Sequence, residues 1–547
     1  MQSPILASSR AASGKTATWI QVLAVFAAGL AFYISLYGDL QYHDVPRFIA
    51  QVESGHYVWD IGHIFLQPAT LLWHQYLGFG ESAEMSQKHI NSVATAAALS
   101  VFYLLLLRLE IPLWRRIAAT ILVAVSANII TLAPTGHMKL LAFPFLNGAI
   151  LQSVLWERQL SAHRKAGDHR LWAAAFLLAV GAAFLASCLG VAPFMCLAIL
   201  LASLRAGDSW FISLRRAALF GVICGVAFLA FVCFGYVEFT GNSLTLNGLA
   251  QSVMTKENLR TAFVSVTDSL ARQVYGNAGN FIAAPELGPV MRAWLAHFIP
   301  SLKPYAGTLL LEIGPWLATL ALIGWIYLRS IIRVMKGAEG LTTFAFLLGA
   351  LSWCLYYNLD DPEHWFALTV PTVLLFLMQF PAAVTRILLP AWAAITAVLN
   401  LAYIAIPVAS FPLHAGEAEI QAKFSSKDLL TSFAAFPGHA YLGSFKLHGL
   451  RELRLDQQYQ TSKAAFFTDV DAEFRSTWQG GGRVMVFDVL EPYNWNAPWF
   501  VLTRAGLSKD KLRGFLESHY TVVPQDDIAR LKVWEIRPRR FDGPAGN

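Results

Sequence analysis

Long apolar stretches, separated by shorter polar loops, make up most of the first 410 residues of the chain. Each stretch is long enough for a helix to cross most of the roughly 30 Å of hydrocarbon in a bilayer. The predicted fold class is therefore a polytopic α-helical membrane protein. About eleven transmembrane helices are predicted, at residues 18–37, 89–107, 117–134, 140–156, 171–187, 190–204, 214–235, 307–328, 341–357, 366–381 and 387–408.

The composition agrees with this fold class. Of the 547 residues, 56% are hydrophobic and 14% are charged, whereas a soluble domain has about 25% charged residues. The net charge is +6, and most basic residues stand in the short loops between the apolar stretches. Because the chain has no nucleic-acid-binding motif, we predict no nucleic-acid partner.

The distribution of basic residues predicts the orientation of the helices. Cytoplasmic loops of membrane proteins are enriched in Lys and Arg. Among the very short loops of one face, the one basic residue is Lys139. The N-terminal tail and the loops of the opposite face contain Arg10, Lys15, Arg108, Arg115, Arg116, Arg158, Arg164, Lys165, Arg170, Arg205, Arg215, Arg216, Arg329, Arg333, Lys336 and Arg386. The N-terminus is therefore predicted to be cytoplasmic, and an odd number of spans places the C-terminus outside.

The chain divides into three predicted regions. A cytoplasmic tail at 1–17 precedes a membrane domain at 18–410, which has long outer loops at 38–88 and 236–306. The second of these loops is too long for a simple connector, and its scattered apolar residues predict short amphipathic helices on the membrane surface. A flexible linker is the alternative for that loop.

The C-terminal region, 415–547, has a different pattern. Short β-prone runs occur at 484–487, 520–523 and 531–536, and helical patterns occur at 426–435 and 509–518. The three glycines at 480–482 precede a strand, so they predict a turn rather than a phosphate-binding loop. Roughly 130 residues suffice for one hydrophobic core. We therefore predict a small α/β domain outside the membrane.

The first outer loop concentrates polar residues that can carry chemistry. Asp44 follows the first span, where partial shielding from water favours a carboxylate that takes a proton from a hydroxyl. Arg47 lies three residues further on and suits phosphate recognition, although it could instead pair with Asp44 or Glu53. Asp44 is the candidate catalytic residue, and the candidate substrate-binding residues of this loop are His43, Arg47, Asp60 and His63.

Other functions of these loop residues stay open. Asp44 could cap a helix that starts at Pro46, because proline is favoured at the first helical position. His56, Asp60 and His63 could bind a divalent metal, but two histidines and one aspartate in a loop are a weak metal pattern. No metal or other cofactor is predicted.

Two further outer turns carry polar residues. His137 and Lys139 separate the third and fourth spans, where an interfacial anchor is the alternative to a binding role. Glu363 and His364 belong to the turn before the tenth span, where capping of a helix is the alternative. All four are candidate substrate-binding residues.

The first outer loop resembles that of a known enzyme superfamily. It contains, in order, Asp44-Val45-Pro46-Arg47-Phe48, Gly55-His56-Tyr57, Gln67-Pro68 and Trp73. This order is similar to the first outer loop of the C-type (GT-C) superfamily of integral-membrane glycosyltransferases. The branch with the protein O-mannosyltransferases and the lipid A aminoarabinose transferases is the most similar. The resemblance implies a GT-C-like fold with many spans, a long first outer loop and an outer C-terminal domain.

The resemblance also implies a reaction at the outer face of a bacterial inner (plasma) membrane. The donor would be a sugar on a polyprenyl phosphate, and the acceptor hydroxyl would belong to a glycan, a lipid or a protein. Asp44 would act as general base for an attack that inverts the anomeric carbon. Arg47, Lys139 or His364 would stabilise the departing lipid phosphate.

Two positions depart from the family pattern. Many relatives have a second carboxylate where this chain has Val45, and the aminoarabinose branch has a lysine where this chain has Gln67. The resemblance therefore assigns neither the sugar nor the acceptor. The alternatives are a lipid or solute transporter or flippase, and a catalytically inactive assembly subunit with this fold. Polar residues crowd one face instead of the middle of the spans, which favours the enzyme.

Overall fold

The computed structural model of the chain describes residues 4–39, 45–55, 61–163, 167–240, 306–357, 362–410, 413–432, 449–455, 458–459, 462–487, 507, 509–528 and 532–539. Most residues before 410 belong to a compact helical unit, and residues from Ser410 onward belong to a second compact unit.

Every predicted span of the helical unit overlaps a helix. The helices are α1 (Pro4–Ile34), α2 (Val45–Ser54), α3 (Leu66–Tyr76), α4 (Ala83–Arg108), α5 (Leu113–Ala124), α6 (Ala127–Leu132), α7 (Phe143–His163), α8 (His169–Phe184), α9 (Val191–Arg205), α10 (Trp210–Thr240), α11 (Ala306–Met335), α12 (Leu341–Tyr357), α13 (Thr369–Gln379), α14 (Ala382–Asn400) and α15 (Ile406–Ala409). The surface helices predicted for 236–306 fall almost entirely outside the described residues.

The number of membrane spans is smaller by the criterion of length. In the described part, 7 segments are long and apolar enough to cross a membrane: Ala17–Ile34, Ala83–Arg108, Met138–Ala162, Ala186–Arg205, Trp210–Phe239, Leu317–Met335 and Ala382–Asn400. The helices at the other predicted spans, α5, α8, α12 and α13, are shorter. The helical class is confirmed, whereas the count of about eleven spans is not.

Two predicted spans are interrupted where they touch. The span predicted at 117–134 breaks between α5 and α6, next to Ser126. The span predicted at 387–408 changes to a π-helix at Leu401–Ala405. The Asn400 amide donates a hydrogen bond to the Val125 carbonyl at 2.8 Å, and Val125 packs with Ile404 in one apolar cluster. The Asn400 amide thus donates to the Val125 carbonyl, which has no hydrogen-bond donor within its own helix because the helix is interrupted there.

The first outer loop is largely helical. In α2, Val45, Ile49 and Val52 are buried at helical spacing, which is the pattern of an amphipathic helix. A 3₁₀ turn at Ile61–His63 leads into α3. Helix α4 begins at Ala83 rather than at 89, because the Ser82 hydroxyl accepts a hydrogen bond from the Met85 N–H at 3.2 Å and caps the helix.

The helical unit has two chemically different ends. At the first, which we call the arginine-rich end, arginines hold neighbouring helix ends together: Arg158 donates to the Arg108 carbonyl at 3.1 Å, and Arg115 donates to the Ala382 carbonyl at 2.9 Å. At the second, which we call the loop end, the 3₁₀ segments Met138–Ala142, Ala186–Gly190 and Pro362–Leu368 pack with α4, α6, α8 and α12.

The second unit is built on a five-stranded mixed sheet of order β2-β1-β3-β5-β4. Its elements are α16 (Leu413–Lys423), β1 (Leu429–Ser432), β2 (Arg451–Arg454), α17 (Phe466–Gln479), β3 (Val484–Phe487), α18 (Lys509–His519), β4 (Tyr520–Pro524) and β5 (Val533–Pro538). Strand β1 pairs in parallel with β2 and β3, whereas β5 is antiparallel to β3 and β4.

The core of this unit lies between the sheet and helices α17 and α18. Strand residues such as Val484 and Ile536 pack against Phe466 and Phe474 of α17 and against Leu512 of α18. The strands predicted at 484–487 and 520–523 and the helix predicted at 509–518 match elements of the structure. The helix predicted at 426–435 is wrong, because this stretch contains β1, and β2 was not predicted at all.

Candidate functional site

The helix that carries the loop motif is seated on the loop end of the helical unit. Phe48 of α2 packs against a buried cluster of Leu66, Met138 and Leu141. The Thr70 hydroxyl of α3 lies 3.0 Å from the Met138 sulfur. Together, these two contacts join the motif helix, α3 and the 3₁₀ segment that contains Lys139.

A polar stripe runs along the first turns of α4, beside the same segment. It consists of Glu84, Gln87, Lys88 and Asn91, at the spacing that places side chains on one face of a helix. Lys88 is only 2% exposed, and its ammonium forms an ion pair with the Glu84 carboxylate. An ionisable side chain buried in a membrane helix is costly, so it marks a functional site by default.

The turn after α6 rests directly on this stripe. The Gln87 amide donates to the Gly136 carbonyl at 2.8 Å, and the Asn91 amide donates to the Leu132 carbonyl at 2.8 Å and the Ala133 carbonyl at 3.0 Å. Gly136 has φ +75°, and a Cβ atom there would lie 3.3 Å from Lys88 Cγ. A glycine is therefore required both by the backbone conformation and by the closeness of α4.

The turn leads into two of the predicted binding residues. His137 is 2% exposed and Lys139 is 7% exposed, and both lie within or next to the Met138–Ala142 segment. Lys88 of α4 therefore packs on the turn, and Lys139 follows the turn in the next element. Exposed anchors at the membrane surface would not be buried to this extent.

A second outer turn reaches the same region. Phe366 of the Pro362–Leu368 segment makes an edge-to-face contact with Phe143, at 5.6 Å between ring centroids. Phe143 follows directly on the Met138–Ala142 segment. The Pro362–Leu368 segment thus packs on the residue that follows the Lys139 segment, whereas the side chains of Glu363 and His364 are outside the description.

His63 occupies the neighbouring part of the loop end. Its side chain is half-buried, and the next residue, Ile64, packs with Ala183 at the end of α8. The Phe65 N–H donates to the Ala183 carbonyl at 3.1 Å. Phe184, the next residue after Ala183, packs on the cluster around Met138.

The remaining predicted residues fall outside the description. Asp44 immediately precedes the first residue of α2 in sequence, and it lies outside the described residues together with His43 and Asp60. Arg47 lies in the first turn of α2, but its side chain is not described. Their predicted functions therefore stay predictions, and so does the capping alternative for Asp44.

Metal binding finds no described candidate. Among the residues that the structure describes, no group of three or more His, Cys, Asp or Glu side chains could hold a metal ion. His56 and Asp60, which belong to the metal alternative for the first outer loop, are not among them. That the protein has no metal or other cofactor therefore stays a prediction.

The sequence reasoning missed Lys88 and its partner Glu84. Both stand at the boundary between the first outer loop and the second predicted span, where charged residues are ordinary. The available signal was the spacing of Glu84, Gln87, Lys88 and Asn91, which recurs every three or four residues. In a helix this spacing makes a polar stripe, and a polar stripe on an otherwise apolar helix faces the protein rather than lipid.

Comparison with known proteins gives fold neighbours but no sequence relatives. No family model and no curated protein sequence matches the chain. Among solved structures, the chain is similar to ArnT from Cupriavidus metallidurans bound to undecaprenyl phosphate, with 11% identity, a TM-score of 0.41, and coverage of 95% of this chain and 98% of that chain. It is also similar to the archaeal oligosaccharyltransferase AglB from Archaeoglobus fulgidus in complex with an inhibitory peptide and a dolichol-phosphate, with 13% identity, a TM-score of 0.47, and coverage of 96% and 75%.

A further structure of the Archaeoglobus fulgidus oligosaccharyltransferase, in complex with Zn and sulfate, is similar with 12% identity, a TM-score of 0.48, and coverage of 95% of this chain and 74% of that chain. These neighbours are GT-C glycosyltransferases, the superfamily that the first outer loop resembles. Because these TM-scores are below 0.5, the structural neighbours are not used to support a function. The function proposed below is argued from the chain's own residues.

Proposed function

We propose that this chain is a membrane glycosyltransferase that moves a sugar from a polyprenyl-phosphate donor to a hydroxyl acceptor. The observation that carries the proposal is the seat of the motif helix. Phe48 of α2 rests on Met138, next to Lys139 and close to the turn that packs on Lys88. Phe48, the last residue of the motif that resembles a glycosyltransferase loop, therefore lies at the same end of the helical unit as two buried lysines.

The proposed reaction assigns a function to each group. The Asp44 carboxylate takes the proton of the acceptor hydroxyl, and the hydroxyl oxygen forms a bond to the anomeric carbon. The bond between that carbon and the phosphate oxygen breaks at the same time, with inversion. The electron pair stays on the lipid phosphate, which leaves as a stable anion, so a strong general acid is not required.

Cationic groups stabilise this leaving phosphate. Lys88 and Lys139 supply ammonium groups from the loop end, and we assign the same function to Arg47 of the loop motif and to His364. Positive groups in a site shielded from water act more strongly on a developing anion than they do in water. The other candidates, His43, Asp60, His63, His137 and Glu363, bind the donor sugar or the acceptor.

The loop end is the proposed outer face of a bacterial inner membrane. The arginine-rich end carries most of the basic loops, which favours the cytoplasm for that end. A cysteine introduced at position 44 would then react with a membrane-impermeant thiol reagent added to intact spheroplasts. Labelling of this position from the cytoplasmic side alone would contradict the proposed orientation.

Two measurements test the proposed activity. A strain that lacks the protein is expected to accumulate one polyprenyl-phosphate sugar and to lose one surface glycan, both read by mass spectrometry. The wild-type gene should restore the normal pattern, whereas Asp44→Asn should not, although it is produced and folded. Full restoration by Asp44→Asn would remove Asp44 as the base. An unchanged pool of lipid-linked sugars in the deletion strain would count against the enzyme and favour a transporter or an assembly subunit.

A further inference from the structure

The turn between α6 and the Met138–Ala142 segment is held by side chains of another helix. Helix α6 ends just before Pro134, which has no N–H to donate. The carbonyls of Leu132, the last residue of α6, and of Ala133, which follows it, accept hydrogen bonds from the Asn91 amide. The Gly136 carbonyl accepts from the Gln87 amide. Both amide side chains are 0% exposed, so water does not compete for these bonds.

The backbone of this turn is also tightly closed. The His137 N–H donates back to the Leu132 carbonyl at 3.1 Å, and Gly136 between them adopts φ +75°. This is the geometry by which a helix ends at a left-handed glycine. Because the turn is closed on itself and accepts three hydrogen bonds from side chains of α4, the segment that follows it cannot shift along α4 without breaking buried hydrogen bonds.

We infer that Gln87 and Asn91 are positioning residues, which fix Lys139 relative to Lys88 and so set the binding site for the donor phosphate. This inference rests on the proposed function. Lys88 belongs to the same helix as the two amides, and its aliphatic stem packs on Gly136. Helix α4 therefore carries Lys88 and also holds the turn that leads to Lys139. Groups that bind a charged ligand gain affinity when their spacing is fixed in advance.

The chain offers a matched control for this inference. The Asn147 amide of α7 donates to the Ala98 carbonyl of α4 at 2.9 Å and is 1% exposed. It is the same kind of buried bond from an amide side chain to a backbone carbonyl, and it also involves α4. It lies away from the turn at 133–137. Asn91→Leu removes two such bonds and Asn147→Leu removes one, with the same change in side-chain shape.

The experiment compares three variants of the full-length protein in detergent: Asn91→Leu, Gln87→Met and Asn147→Leu. Their affinity for undecaprenyl phosphate is measured together with the rate of reductive methylation at Lys139, read by mass spectrometry. We expect Asn91→Leu and Gln87→Met to weaken binding by about tenfold to a hundredfold, because small displacements of charged groups have effects of that size. Lys139 should also be methylated faster in both. Asn147→Leu should lower the thermal unfolding midpoint with neither effect.

Several outcomes would overturn the inference. Equal losses of affinity in Asn91→Leu and Asn147→Leu would mean that these amides serve stability alone. If Gln87→Met had wild-type affinity and a wild-type rate of Lys139 methylation, Gln87 would also serve stability alone. If Asn91→Leu does not fold, the result for Gln87→Met decides whether the inference holds. A wild-type protein that does not bind undecaprenyl phosphate would contradict the proposed function instead. Methylation of Lys139 would still show whether the two amides hold the turn.

Discussion

Both ends of the helical unit bury charged side chains, but in different arrangements. At the arginine-rich end, the buried Glu157 carboxylate of α7 accepts hydrogen bonds from the N–H groups of Gly340, Leu341 and Thr342 at 2.9 Å and from the Thr342 hydroxyl at 2.5 Å. These are the N–H groups that the start of α12 leaves without a partner in its own helix. The Glu157 carboxylate thus joins α7 to the start of α12.

The loop end arranges its charges differently. Lys88 and Glu84 form an ion pair within one helix, α4. A second lysine, Lys139, lies beyond the turn that packs on Lys88, and the motif helix covers the neighbouring Met138. Burying an ion pair is costly and often gives no net stability. Buried charge thus serves assembly at the arginine-rich end, whereas the proposed function gives the buried lysines of the loop end a use in binding the donor phosphate.

Replacement of the Lys88–Glu84 pair should produce the largest effect and should separate the two uses of charge. Lys88→Met alone leaves a carboxylate without its ammonium, and we expect about 3–5 kcal/mol less stability. The double variant Lys88→Met with Glu84→Gln removes the charge imbalance, so most of this stability should return. Sugar transfer should stay about a hundredfold below wild type, which is typical for the loss of a group that stabilises a developing anion.

Thermal unfolding in detergent and transfer measured per folded protein check this prediction. A double variant that recovers transfer together with stability would show that the pair is structural, and that the two ends of the helical unit do not differ in the way described. Arg216 at the arginine-rich end is the control. It is paired with Asp168 at 2.8 Å and also with Asp208. Arg216→Met should lower stability and leave the transfer rate of the folded protein unchanged.

Glu157→Gln tests the other half of the comparison. A glutamine has nearly the same shape, but its amide group offers one acceptor oxygen where the carboxylate offers two. We expect a loss of about 2–3 kcal/mol, in the range for hydrogen bonds to a charged group. The substrate KM should not change, because the proposed donor site is at the loop end and Glu157 is at the arginine-rich end. A raised KM at unchanged stability would contradict a purely structural function for Glu157.

Gly136→Ala should have a smaller effect, in which stability and binding change together. The positive φ costs an alanine about 1–2 kcal/mol, and the new Cβ would press on Lys88 Cγ. We expect a moderately lower unfolding midpoint and weaker binding of undecaprenyl phosphate. Gly207 is the control, because it has φ +88° but nothing within 4 Å of a Cβ. Weaker binding in Gly207→Ala as well would show that the effect does not depend on contact with Lys88.

The sequence predicted the helical class correctly, whereas the residues that it assigns to a site stay predictions. Apolar runs, basic loops and the motif around Asp44 are local signals, and they led to the loop end through His137, Lys139, Glu363 and His364. The ion pair of Lys88 was not recognised, because burial of a loop-boundary lysine depends on the distant turn at Gly136. The breaks at Val125 and Leu401 were missed for the same reason, since each is stabilised by contact with the other.

The C-terminal unit shows a second limit of sequence reasoning. All four residues of β1 are buried, so the strand has none of the alternation that identifies a half-exposed strand, and such short runs resemble buried helix. At the edge of the sheet, β2 has the sequence Arg-Glu-Leu-Arg. Charged residues are common on edge strands because they prevent pairing with other chains, and here they concealed the strand.

Asp428 extends the comparison to a carboxylate outside the helical unit, with the smallest expected effect. Burial by itself would raise the pKa of its carboxyl, but hydrogen bonds from the Arg483 side chain and from the N–H groups of Ser425 and Arg483 outweigh burial and lower the pKa. The folded state therefore favours the ionised form. Its contribution is complete at neutral pH and is lost as the pH falls below about 4, where Asp in an unfolded chain takes up a proton.

Asp428→Asn should therefore destabilise the region around β1 and β3 at pH 7 by about 1 kcal/mol, a modest value because half of the Arg483 side chain is exposed and its charge is screened by water. Hydrogen exchange of peptides from β1 and β3, corrected for the intrinsic effect of pH, measures the change. The difference from wild type should shrink as the pH falls through 4, because the wild-type carboxyl is then neutral too. The hydrogen bonds of Glu157 are buried and are not screened by water in this way. If Asp428→Asn lost as much stability as Glu157→Gln, the difference in burial would not explain how much each carboxylate contributes to stability.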